Sequence, residues 1–452
     1  MPIHPDVPLL PEILNSCNYQ SHLVGKWHLG HYNRKYWPTN RGFHSFSGYL
    51  VGAEDYYMHH ECWKAGPVPC GFDYRENERP AAVDPENANK YSAELWPGKI
   101  EKIIDNHDFS IETGKSLFMY YALQNVHWPI EVPEKYLKDF GWIKDRTRRT
   151  YYGMVKALDD SIGKVIEIYK KKGIFENTII IFTSDNGGHH SYGGNNFPLK
   201  GEKTNVWQGG VRTTGFITGP GVKSGKRYRG LYHVTDWMPT LLGLLQCSRN
   251  GTDQVDGVDH SHVVKETSKV MDNEIRFESE TLDSKKFPNV REEILVNIDP
   301  LIRSENKDNR TWIQTSFDIQ QQAALIYKNW KIITGWAGPN LTYIPPEWSL
   351  NLQKQEQNYQ NSYHVFKNVE TYEKNMKPHP NNNFRSVQLF NIFNDPGEEN
   401  ELSDDYHDIT NLMLKKLEKY EKIMVPPNPA PSYDPRSDPV LHNNYWDSWV
   451  ED

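Results

Sequence analysis

Long apolar runs are missing from this sequence. No stretch approaches the ~18 consecutive apolar residues of a membrane-spanning helix, so none is expected. An excess of positive charge is missing as well: 51 Lys and Arg stand against 59 Asp and Glu, a formal charge of −8. That balance argues against nucleic acid as the main partner, because phosphate backbones are bound by basic faces. It leaves open a local basic pocket for a sulfated or phosphorylated ligand. Between Met1 and Leu14 no basic region precedes an apolar run, so no secretory leader is visible. Cysteine is scarce, with four in all. Cys62 and Cys70 bracket a short loop containing Gly and Pro, a spacing that suits a local disulfide or two unrelated thiols. Cys17 and Cys247 read as free, buried thiols. No fixed-period repeat is evident.

What is present points to a folded protein. Hydrophobic residues make up 37% and aromatics 13% of 452 residues, which excludes disorder as a whole-chain state and allows two or three domains. Asn250-Gly251-Thr252, Asn309-Arg310-Thr311 and Asn340-Leu341-Thr342 are glycosylation sequons and favour the secretory pathway.

The first two-thirds alternates helix and strand patterns. Pro8 to Ser16 reads as a helix with proline in its first turn. Ser21 to Val24 and Leu117 to Leu123 read as apolar strands. Tyr151 to Lys172 carries apolar residues at helical spacing, with lysines at its end and Gly173 as its stop. The β-branched run Thr178 to Thr183 reads as a strand buried on both faces. Val234 to Leu245 reads as a helix capped by Thr235 or Asp236. Such alternation means an α/β domain with a mainly parallel sheet flanked by helices. The texture changes beyond about residue 300. Ala323 to Thr334 reads as a hairpin, Asn351 to Asn383 as long loops, and Asp405 to Met424 as an amphipathic helix with Ile409, Met413, Leu417, Tyr420 and Met424 on one face. The expected division is a first domain over 1–305 and a smaller C-terminal α+β domain over 306–452.

Polar residues cluster after the strands. Lys26 and His28 follow the first strand and His127 the second. Asp185 and Asn186 follow the third, and Lys203 lies on a loop punctuated by Gly193, Gly194, Gly209 and Gly210. Ligands of open parallel sheets bind beyond the C-terminal strand ends, so three segments are expected to send polar groups to one edge. Asp185 and Asn186 are hard oxygen donors suited to Ca²⁺ or Mg²⁺. Lys26 and Lys203 supply fixed positive charge, and His28 and His127 move protons near neutral pH. Together these groups describe a site for a sulfate or phosphate ester. His189 and His190 read as loop histidines facing water, and Asp159 and Asp160 as a solvated helix face.

Gly25-Lys26-Trp27-His28-Leu29-Gly30, Pro38-Thr39-Asn40-Arg41-Gly42-Phe43 and Ser184-Asp185-Asn186-Gly187-Gly188 resemble the type I sulfatases of the alkaline-phosphatase-like superfamily. Glu54-Asp55-Tyr56-Tyr57, the Cys62/Cys70 loop, Gly194 to Lys203, and Leu389-Phe390-Asn391 to Glu398 resemble the arylsulfatase B (N-acetylgalactosamine-4-sulfatase) branch. The resemblance implies an alkaline-phosphatase-like mixed, mainly parallel sheet. It also implies calcium bound by Asp185 and Asn186 among others, and lysosomal or secreted placement. It implies that Lys203 and His127 hold the sulfate, with His127 or its neighbourhood protonating the leaving oxygen. Lys26 and His28 would contact the nucleophile, His28 as the base that releases sulfate. The implied substrate is a sulfated sugar or glycosaminoglycan, and the resemblance supports the Cys62–Cys70 pairing.

The family's nucleophile is a formylglycine made from Cys or Ser in Cys/Ser-x-Pro-x-Arg. No Cys or Ser here stands in that context; Ser437-Asp438-Pro439-Val440-Leu441 has the proline and no arginine. The paired metal-binding aspartates of the family's first strand are absent too. One cause accounts for these absences and for the absent leader: an N-terminal segment outside this sequence. The expectation is an arylsulfatase by family whose chain as given is inactive. The alternative is a non-catalytic sulfatase-like protein that binds sulfated glycans through Lys26 and Lys203.

Overall fold

The computed structural model describes residues 2–62, 70–81, 89–248, 255–265, 291–304, 308–339, 342–343, 385–427 and 434–451. The Asn351–Asn383 stretch and the sequons at Asn250 and Asn340 lie outside them. The chain forms two compact units: residues 1–178, 238–256 and 430–452 make the first, and 179–237 with 257–429 the second. The expected boundary at 305/306 is a different partition, and strands pair across it within the second unit.

In the first unit α1 (Leu10–Ser16) precedes β1 (Tyr19–Lys26), followed by β2 (Ser45–Tyr49) and the two-residue strands β3 (His60–Glu61), β4 (Gly71–Phe72), β5 (Arg75–Glu76) and β6 (Arg79–Pro80). Then come α2 (Ser92–Asn106), β7 (Ser116–Ala122) and α3 (Arg146–Lys171). The sheet runs β6-β5-β2-β1-β7, with β1 parallel to both β2 and β7 and with β5 and β6 antiparallel. As a parallel strand with two neighbours, β1 is buried on both faces. Leu23 packs with Trp27, Trp37, Phe43, Phe46 and Leu50, while Val24 packs on the opposite side with Trp96, Ile100 and Ile104 of α2 and Tyr169 of α3. The clearest helix signal, Tyr151 to Lys172, lies within α3, which starts earlier because Asp145 caps it, accepting from Arg148 N at 2.7 Å.

The second unit holds β8 (Ile180–Thr183), α4 (Gln208–Val211), β9 (Gly215–Thr218), and α6 (Ser261–Val264), with α5 (Trp237–Leu244) beginning at its border with the first unit. β10 (Glu293–Arg303), β11 (Gln321–Tyr327), β12 (Trp330–Thr334) and β13 (Val387–Asn391) form an antiparallel sheet in that order. One face of it, through Ala323, Leu325, Ile332 and Leu389, is covered by Met413, Leu414 and Leu417 of α7 (His407–Ile423). The other face, through Ala324, Ile333 and Phe390, is covered by Val206 and Trp207. The hairpin and the amphipathic helix are thus as expected, though Met424 lies just past the helix.

Four expectations need correction. Cys17 and Cys247 are not free; they form a disulfide, as do Cys62 and Cys70. β8 is not buried on both faces: among the described residues it pairs with β9 alone in a two-stranded antiparallel sheet, and its side chains stay partly exposed. The cap of the 234–245 segment is His233, whose ring accepts from Thr235 N while Asp236 accepts from His233 N at 2.8 Å. The fourth, at His189 and His190, belongs to the site below. Among the described residues no helix is long and apolar enough to cross a membrane.

Candidate active-site residues

Lys26 is the last residue of β1 and sits opposite Tyr49, the last of β2. Gly25 before it has φ +107, and a Cβ there would lie 2.0 Å from Ala122 O of β7. Only glycine allows this strand to pass so close and turn so sharply. The chain then turns through His28, at φ +53, whose N–H donates to Leu50 O at 3.2 Å. Trp27 anchors the turn, its indole donating to Tyr36 O at 3.0 Å. Gly52 packs against the His28 ring; a Cβ there would come within 2.8 Å of Nε2.

His127 follows β7, which runs beside β1 in parallel register, so both polar segments leave the same edge of one sheet. The expected convergence therefore holds for Lys26, His28 and His127. The His127 carbonyl accepts from Tyr56 OH at 2.9 Å. Its Nδ1 lies 2.9 Å from Trp128 O, a carbonyl that can only accept. The proton therefore sits on Nδ1.

In the second unit Asp185 and Asn186 follow β8, with Asp185 exposed and Asn186 half-buried. Two close approaches hold this turn: Gly187 N–H donates to Gly210 O at 2.9 Å, and Lys203 N–H donates to Gly188 O at 3.2 Å. Asn196 clamps it from its side chain, accepting from Gly188 N at 2.8 Å and donating to Gly201 O at 3.0 Å. Lys203 is thereby placed beside the segment that carries the two oxygen donors.

His189 and His190 do not face water. Their Nδ1 atoms lie 3.6 and 3.5 Å from Glu202 Oε2, and their side chains are 21% and 6% exposed. His190 N–H also donates to Glu202 at 2.6 Å. Burial pushes the Glu202 carboxyl up to about 7. Burial, with Lys203 nearby, pushes His189 down to about 4. A loop position after two glycines gave no periodic signal that these rings turn inward.

Among the described residues no group of three or more His, Cys, Asp or Glu is arranged to hold a metal. Asp185 and Asn186 have the donor chemistry that calcium takes, yet supply two side chains where calcium takes about six to eight oxygens. They fit as part of a calcium shell and not as the whole of one.

The sulfatase family profile matches residues 2–247 of this chain. Arylsulfatase J of Mus musculus is 34% identical over 448 residues, covering 99% of this chain and 67% of that protein. The chain belongs to the sulfatase family. N-acetylgalactosamine-6-sulfatase of Homo sapiens is 29% identical over 265 residues, 56% of this sulfatase chain and 47% of that protein. The chain therefore spans about half to two-thirds of the length of these curated relatives. The crystal structure of Ps i-CgsB shares the fold, with a TM-score of 0.62 at 22% identity over 93% of this sulfatase and 75% of that chain. PsFucS1 sulfatase from Pseudoalteromonas sp. does so with a TM-score of 0.57 at 18% identity over 92% and 72%.

Proposed function

We propose that this sulfatase is of the arylsulfatase B type and that its residues serve hydrolysis of sulfate esters on an N-acetylgalactosamine-containing glycosaminoglycan or a related sulfated sugar. The observation that carries this reading is the Lys203 N–H bond to Gly188 O at 3.2 Å. It ties the backbone of a lysine to the turn that carries two hard oxygen donors, and these are the residue types that a sulfate group and a calcium ion both need. The names of the relatives, an arylsulfatase and N-acetylgalactosamine-6-sulfatases, favour the same substrate class.

In this reading Lys203 and His127 hold the sulfate, and His127 or its neighbourhood protonates the leaving oxygen. Lys26 and His28 stand by the nucleophile, His28 as base. Asp185 and Asn186 are two ligands of a calcium ion, which when bound would offset negative charge on the sulfate oxygens. Two disulfides favour an oxidising compartment, hence a lysosomal or secreted protein.

No Cys or Ser of the sequence stands in Cys/Ser-x-Pro-x-Arg. Polypeptide 1–452 by itself is therefore expected to bind sulfate and not to turn over sulfate esters, which keeps the glycan-binding alternative in view. Calorimetry with inorganic sulfate tests the reading. Lys203→Ala is expected to weaken binding by about tenfold or more, the weight of one charge-assisted contact. Sulfate affinity that Lys203→Ala leaves intact would overturn the assignment. Flow-through on chondroitin sulfate at low salt counts against the binding protein, and release of sulfate by this polypeptide excludes it.

A further inference from the structure

The inner strand β12 carries a lysine where a core would take an apolar residue. Ile332 faces α7, so by alternation Lys331 and Ile333 face the opposite side, where Val206, Trp207 and Phe390 pack. Lys331 is fully buried there. Its partner comes from the turn after β13. Glu398, at φ +57, donates its N–H to Asp395 O at 3.1 Å and is fully buried as well. Lys331 Nζ lies 2.6 Å from Glu398 Oε1 and donates to Val206 O at 2.6 Å. The other carboxylate oxygen, Oε2, accepts from Gln208 N at 2.6 Å, and the Glu398 carbonyl accepts from Lys200 Nζ.

These contacts grip the loop 200–209 at both ends. Lys200 is held on one limb, Val206 and Gln208 on the other, and Gly209 N–H closes the base on Lys200 O at 2.6 Å. Lys203 lies within the closed loop. Two bonds reach from it to the turn after β8: Lys203 N–H donates to Gly188 O at 3.2 Å, and Glu202 Oε2 accepts from His190 N at 2.6 Å. The limbs pack backbone to backbone. A Cβ at Gly209 would lie 2.4 Å from Gly201 O, and one at Gly210 2.4 Å from Glu202 O. With so little slack, a shift at the base is passed on to Lys203. Trp207 against Phe390 and Val206 N–H to Ala337 O at 3.2 Å also tie the loop to the sheet. Stability alone does not call for an ion pair here, because apolar residues of similar volume often serve a core as well as two buried charges do. What they cannot do is hold a backbone N–H, a backbone carbonyl and a second lysine in set directions.

We propose that Lys331 and Glu398 are positioning residues that fix the Lys203 loop in register with the turn bearing Asp185 and Asn186. The role in sulfate binding rests on the reading of Lys203 given above. All of the residues involved belong to the second unit. The pair acts through the loop backbone: Glu398 sets the direction of Gln208 N–H, Lys331 that of the Val206 carbonyl, and the loop between Lys200 and Gly209 follows. Gly210, next to that base, accepts from Gly187 N at 2.9 Å, so the turn after β8 is held from the same point.

The test is backbone hydrogen exchange of the 452-residue protein, with melting curves and inorganic sulfate calorimetry alongside. Lys331→Met with Glu398→Leu removes the pair without leaving a charge buried alone. Glu398→Gln keeps the shape and an acceptor oxygen and removes only the charge. The double variant is expected to melt cooperatively and to exchange about tenfold faster or more over 187–190 and 200–210, with α7 within about twofold of wild type. Glu398→Gln should fall between. Sulfate binding should weaken by about threefold or more in the double variant, and no further where Lys203→Ala is already present. Unchanged exchange over 200–210 overturns the proposal. So does an equal rise in α7, or loss of cooperative melting in both variants, because the pair then holds the whole unit and not the loop. Sulfate loss that persists on top of Lys203→Ala overturns it too. Sulfate affinity that Lys203→Ala itself leaves intact defeats the sulfatase reading instead, while exchange still decides whether the pair positions the loop.

Discussion

At Gly52 the space for a side chain is taken by the His28 ring. A Cβ would meet Nε2 at 2.8 Å and Cε1 at 2.9 Å. The obstacle is the far end of an exposed side chain, so the ring moves and the backbone need not. Gly52→Ala is therefore expected to displace His28 while leaving the melting temperature within a degree or two. A shifted His28 ring resonance with unchanged melting supports this; a large stability loss shows that backbone strain dominates instead. At this scale the sequence was legible where a residue carries its own chemistry, as Lys26, His28, His127, Asp185, Asn186 and Lys203 do. It was not legible where a role depends on what lies across space. Nothing near Glu202 says that two histidines turn towards it, and nothing in Glu54-Asp55-Tyr56-Tyr57 says that Glu54 and Tyr56 brace residues some seventy positions away.

Elements were easier to name than to surround. The β-branched run before Asp185 does form a strand, yet its composition could not tell that only β9 pairs with it among the described residues. Strand β1 runs from Tyr19 to Lys26, longer than its apolar core, because β7 offers partners from Ser116 onward. The Cys17–Cys247 link shows the limit most plainly. Its partners are 230 residues apart, and no local spacing announces it. It ties the end of α1 to the end of α5, over a small core of Ile13, Leu14 and Leu242. A bridge closing so long a loop restricts the unfolded chain strongly, by about 2–5 kcal/mol in small domains. Cys17→Ser is expected to lower the melting temperature by several degrees. Reductant should bring the wild type down towards the variant, with the Cys62–Cys70 loop, which spans only 8 residues, adding less. Equal melting of wild type and variant in the oxidised state would sink this.

The pH response of the whole molecule is set by buried groups that pull in opposite directions. Asp73 and Glu202 have raised pKa values, about 6 and about 7. Their unfolded values are near 4, so their protonated forms favour the folded state at low pH and that advantage is lost as pH rises through 6 to 7. His22, His31, His59 and His189 are each lowered to about 4, mainly by burial. They bind protons more tightly when unfolded, so they cost stability as pH falls from about 6.5 to about 4. Over that interval the two sets oppose each other, but the four lowered histidines outweigh the two raised carboxyls, so stability should fall as pH drops. Below it a buried carboxylate adds to the loss. Burial alone would raise Asp236, but hydrogen bonds from His260, Arg291, Val258 N and His233 N outweigh it and hold the carboxyl well below its usual range. Arg291 Nη2 lies 2.6 Å from it, and the carboxylate is fully buried. A depressed carboxylate gives stability above its unfolded pKa, near 4, and loses it as pH falls further. The protein is therefore expected to melt at a gradually lower temperature as pH falls from about 7 to about 5 and to lose stability further below about pH 4. Asp236→Asn should be less stable near neutrality, because Arg291 loses its partner, and should show a shallower acid limb. Parallel acid limbs in the two proteins would place the acid sensitivity outside this ion pair.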